Sequence, residues 1–118
     1  MLKNIPDFII IGAHKIDVIA TTADEFDKWW WEGKDKPKAG DDEEFEVIGS
    51  YSHGENKIRL WTKLLGTRKA ATLLHEIVEA ISWQNDLEMN HTQISTLAES
   101  LLTLFLQNDL DFNKIIQD

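Results

Sequence analysis

Four side chains in the middle of this chain, and one rival further on, have the types and spacing to do chemistry. His75 and Glu79 are four residues apart in the run His75-Glu-Ile-Val-Glu79, whose apolar residues recur at helical spacing. Both side chains therefore leave one helix face about one turn apart, close enough to hold one metal ion. His91 follows at the start of a second apolar-periodic segment. Two imidazoles and one carboxylate are a ligand set that catalytic zinc sites use, with the fourth position left to water. Zinc would bring that water's pKa toward neutrality, and Glu76, beside a ligand but about 100° round the helix, could take its proton as general base. Polarising a peptide carbonyl and delivering hydroxide to it would follow. A rival third ligand is Glu99, level with His75 if the second segment folds back antiparallel, and spaced from Glu79 as in sites completed by a glutamate on a following helix. It points further from the apolar stripe than His91, which therefore ranks first.

The plainer alternative is a half-buried helix histidine with two solvated glutamates, His91 being only a first-turn residue. Position favours the metal: the motif falls mid-helix, after a strand with sheet alternation, and a further histidine opens the next helix. With no cysteine in the chain, thiolate ligands and disulfides are excluded, so any metal must rest on His, Asp and Glu. Of the other histidines, His14 and His53 fall in turns and read as solvated. Iron oxygenases share a two-histidine, one-carboxylate ligand set, but the sequence offers no sign of a cosubstrate site.

The elements that must position these residues follow from periodicity. A first long helix is expected over residues 67–85, with Thr67 as N-cap, and an apolar arc of about half its circumference puts His75 and Glu79 just past one border. Arg68 and Lys69 in its first turn oppose the helix dipole, which suggests an anionic partner. Asn90 and Gln93 form a capping box that starts a second helix reaching residue 108. The connection over 86–89 is short enough to make the helices antiparallel neighbours. Upstream, residues 8–11 and 15–20 read as a hairpin around Gly12-Ala-His14, and 45–51 and 57–63 alternate as two further strands. Residues 21–44 read as a long loop with a short helix over 24–31. Trp29-Trp-Trp31 in that helix cannot all face one core, and residues 41–44 are a solvated acid run. Residues 109–118 form a tail. The whole, 1–118, is expected to be one α+β domain: a small, mainly antiparallel sheet followed by a two-helix hairpin.

Bulk properties narrow the function. A chain of 118 residues, 42% hydrophobic and 28% charged, is one globular domain. No apolar run approaches the roughly 20 residues of a membrane span, and nothing at the amino terminus resembles a signal peptide, so no membrane role and a cytoplasmic location are expected. The net charge of −9 argues against nucleic-acid binding, leaving a protein or peptide as substrate or partner.

The run Thr72-Leu-Leu-His-Glu-Ile-Val-Glu-Ala-Ile81, then Leu87-Glu-Met-Asn-His91 with Ile94 and Leu97, resembles a family of small, largely uncharacterised phage and prophage proteins with a zincin-like, metallopeptidase-like core. The Gly54-Glu-Asn-Lys-Ile58 turn and strand fits as well. The resemblance spans residues 45–108 and leaves out the tryptophan-rich loop. It implies a minimal sheet packed on the motif helix, His75 and Glu79 as metal ligands, Glu76 in the general-base position, His91 in the recurring downstream histidine position, and a bacterial host cytoplasm. Glu79 departs from the histidine of the wider His-Glu-x-x-His pattern. A carboxylate there lowers the metal's Lewis acidity and shifts preference from Zn2+ toward harder ions such as Mn2+ or Fe2+.

Overall fold

The computed structural model describes residues 2–30, save the Trp30 side chain, and 48–117. The acid run 41–44, Trp31 and the first three residues of the third expected strand lie outside them. The fold is α+β: a four-stranded mixed sheet followed by helices. None of the helices among the described residues is long and apolar enough to cross a membrane.

Strands β1 (Phe8–Ile11) and β2 (His14–Thr21) form the expected hairpin, with Ile11 opposite His14 and Gly12 in the left-handed conformation the tight turn needs. Strands β3 (Gly49–Ser52) and β4 (Lys57–Trp61) form a second antiparallel pair. The pairs are joined through β2 and β4, which run parallel with Val18 opposite Ile58, so the strand order is β1-β2-β4-β3. Two of the three pairings are antiparallel, as expected. The parallel one leaves β3 at an edge.

Helix α1 (Ala23–Trp30) opens the segment read as a long loop. Thr22 and Glu25 cap it reciprocally: the Glu25 amide donates to Thr22 Oγ1 at 3.2 Å and the Thr22 amide to the Glu25 carboxylate at 3.3 Å. Its Phe26 is buried. Trp29 lies over the Arg59 guanidinium at 4.4 Å, which accounts for this tryptophan by packing.

Helix α2 (Gly66–Gln84) packs one side on the sheet and another on α3 (His91–Gln107). Ile16, Ile58 and Leu60 from the strands meet Leu73, Ile77 and Ala80 of α2, while Val78 and Leu74 meet Ile94, Ala98 and Leu101 of α3. Fully burying each large aliphatic in these layers contributes about 1.5–3 kcal/mol. The helix starts earlier than expected. Leu65 is the N-cap and makes no side-chain cap bond, Thr67 falls inside the first turn, and the chain enters through Gly66 at φ +56°, a backbone conformation that glycine adopts without strain. Lys69, which with Arg68 suggests an anionic partner in the sequence, donates from Nζ to the Lys3 carbonyl at 2.7 Å and ties the amino-terminal segment down.

Candidate metal centre

The turn between α2 and α3 fixes where the second helix begins. Asp86 takes a left-handed conformation, its amide donates to the Trp83 carbonyl, and the Leu87 amide donates to the Ser82 carbonyl, which together make a Schellman closure of α2. The buried Ser82 hydroxyl accepts from the Met89 amide at 3.1 Å. Asn90 then caps α3, and both bonds of its capping box with Gln93 form at 2.9 Å. The result delivers His91, in the first turn of α3, to the side of α2 that carries His75: the two rings lie 5.1 Å apart, centroid to centroid.

His75, Glu76 and Glu79 come together more tightly. Each offers a donor atom within 4.8 Å of the other two, and this is the one such cluster of three or more among the described residues. His75 and Glu79 are half-buried at the border of the apolar arc, as the helical spacing predicts. Glu76 is 4% exposed, turned toward β3 rather than into solvent. Gly49 makes the room. A β-carbon built there would meet the Thr72 γ-methyl at 2.6 Å and Glu76 Oε1 at 3.3 Å, so the edge strand can approach α2 this closely only with glycine at that position.

Burial and like charge set the protonation of the cluster. Glu76 Oε2 is buried with no hydrogen-bond donor against it. Loss of solvent, then the neighbouring Glu79 charge and a hydrogen bond with Glu79, push the Glu76 carboxyl up to about 9. In the metal-free protein at neutral pH, Glu76 therefore holds a proton. His75 shifts below its ordinary value because it is buried and lies beside His91; the Glu79 charge only partly offsets this. A neutral imidazole is the form that binds metal.

Ser95, one turn into α3, went unnoticed in the sequence. Its hydroxyl lies 3.5 Å from His75 Nδ1 and 3.4 Å from His91 Nε2, bridging the two rings. Its signal in the sequence is the i, i+4 spacing from His91, a spacing that serine, not being a metal ligand, does not advertise. Glu99 is exposed and outside the cluster, and His91, though beside His75, is not one of its three members. The remaining histidines lie elsewhere: His14 is exposed at the start of β2, and His53 stacks on Trp83 at 5.5 Å and shares a 2.9 Å hydrogen bond with the Tyr51 hydroxyl.

The donor set fits a divalent cation. One imidazole and two carboxylates, one of them buried with an unpartnered oxygen, are what such an ion would satisfy, and the three side chains could hold one. Comparison with protein-family models, with curated proteins and with solved structures found no match to this chain.

Proposed function

We propose that this is a zincin-like metal-binding protein of phage type that uses its metal for hydrolysis, with a peptide or protein as substrate. The single observation that carries the reading is the buried Glu76 within 4.8 Å of both His75 and Glu79, because an acid–base group beside two ligands is what metal-assisted hydrolysis needs. His75 and Glu79 would hold the ion, with His91, whose ring lies 5.1 Å from that of His75, as the third ligand so that Glu76 is left free for proton transfer. Ser95, whose hydroxyl lies 3.5 Å from His75 Nδ1, would orient that ring. Zn2+, or Mn2+ or Fe2+ given the carboxylate at Glu79, would supply Lewis acidity and an acidified water. Glu76 would hold or accept the proton, and its burial beneath Gly49 and beside Thr72 keeps bulk water from competing for it. Replacing Glu76 with Gln should retain metal and abolish hydrolysis of an unfolded protein substrate. Equal hydrolysis by this variant and the wild type would overturn the assignment.

A second reading, a non-catalytic interaction module in which the helix hairpin and Trp29 to Trp31 bind a protein partner and the metal is structural, is favoured by the exposed apolar face of α3. Under that reading chelation unfolds the domain; under the first, the folded domain survives chelation and only activity is lost.

A further inference from the structure

Helix α3 carries two apolar seams. Ile94 and Ala98, with the half-buried Leu101, pack against Val78 and Leu74 of α2. Leu97, Leu101 and Leu104 run along the adjoining side at the four-then-three spacing of a helix–helix seam, and Leu104 is 44% exposed. The apolar surface continues past the end of α3 into α4 (Phe112–Ile115), whose Phe112 meets Phe105 edge-on at 6.4 Å. None of the residues of α4 is buried; Ile115 is 61% exposed and Ile116, just beyond, 76%. A four-residue helix capped only by Asp111 gains little from this packing. The chain is correspondingly drawn out: its radius of gyration is 16.0 Å, against about 13–14 Å for a compact domain of this length.

We propose that a second copy of this chain covers this face, with the Leu97–Leu101–Leu104 seam packed antiparallel on its twin about a twofold axis and the α4 side chains closing over the ends. Charge favours a twin over a dissimilar partner. The chain carries a net charge of −9, yet residues 100–108 contain no Asp, Glu, Lys or Arg. The one such residue in α3, Glu99, lies about 200° round the helix from Leu97. Along the α3 seam two copies can therefore meet without bringing like charges together, the closing segment carries charges of both signs in Asp109, Asp111 and Lys114, and the seam offers no charge pattern for an unlike partner to complement. An apolar patch that matches itself suits an isologous interface. The area is sufficient. Leu97, Leu104, Phe105, Phe112, Ile115 and Ile116 together present roughly 600 Å² per copy, or about 1,200 Å² in the pair, the lower bound for a stable specific interface. Two hairpins joined in this way make a four-helix arrangement with the His75–Glu76–Glu79 clusters outside the interface.

Sedimentation equilibrium of the full chain over a range of concentrations tests this. Wild type should dimerise, and Leu97→Gln/Leu104→Gln should weaken the dimer at least about tenfold with unchanged helix content, since both positions are already exposed. Ser100→Glu, an exposed position flanking the seam, is a second variant that does not touch the core and should weaken the dimer in the same direction. A monomer at every concentration, which would leave the face to some other occupant, overturns the proposal. So does a dimer indifferent to both variants.

Discussion

Replacing Glu76 with Gln should change how the stability of the metal-free protein depends on pH. In the folded chain the Glu76 carboxyl is pushed from 4.5 up to about 9. Between those values the folded chain keeps a proton that the unfolded chain has released, so the stabilisation is fully present below 4.5 and is lost as pH rises toward 9. The slope for one such proton is about 1.4 kcal/mol per pH unit, so roughly 2 kcal/mol should disappear between pH 7 and 8.5. His75 works in the opposite sense. Its lowered value means that the unfolded chain takes up a proton first as pH falls through 6.5, so its contribution is present above 6.5 and lost in acid. Above pH 7 it is silent, and Glu76 is left as the titrating group. Glutamine has the same shape, can donate an N–H to Glu79 and has no proton to lose. Urea unfolding in the presence of a chelator at pH 7, 7.75 and 8.5 should therefore show wild type losing stability about 1.3 kcal/mol per unit faster than the variant. Parallel curves for the two proteins would show that Glu76 is not the buried acid described above.

Other substitutions probe the supports of the site. Gly49→Ala places a methyl group 2.6 Å from the Thr72 γ-methyl and 3.3 Å from Glu76 Oε1; it should cost about 1–3 kcal/mol by urea denaturation and also weaken metal binding, because β3 must move away from α2. Asn90→Ala removes one half of the capping box that starts α3 and should lower stability by about 1 kcal/mol in the same measurement. Ser95→Ala leaves the ligands in place but frees both imidazoles, so metal affinity by competition with a chelating dye should fall by about 10- to 100-fold while stability without metal changes little.

What the sequence made legible was local. The Gly12 hairpin, the Asn90–Gln93 capping box and the alternation leading into Lys57–Trp61 each rest on residues a few positions apart, and each forms as the spacing predicts. The capping box Thr22–Glu25 was equally local and would have replaced a vague helix over 24–31 with a definite start. The parallel pairing of β2 with β4 was not legible, because it joins strands nearly forty residues apart and no short-range pattern encodes it. Nor was the burial of Glu76. On a helical wheel it lies about 100° from its neighbour His75, which says nothing about whether a strand covers it. The covering depends on a single glycine, Gly49, and alternation over 45–51 places it in a strand without showing what lies against it. The start of α2 at Gly66 rather than after a Thr67 cap was likewise not legible, since the chain enters the helix through a left-handed glycine behind an N-cap, Leu65, that has no capping side chain.

Metal content of the untagged protein, measured by elemental analysis beside His75→Ala, tests the central claim most directly. The account predicts about one divalent ion per wild-type chain and none in the variant. No bound metal in the wild type, even after incubation with zinc, manganese or iron, would contradict it.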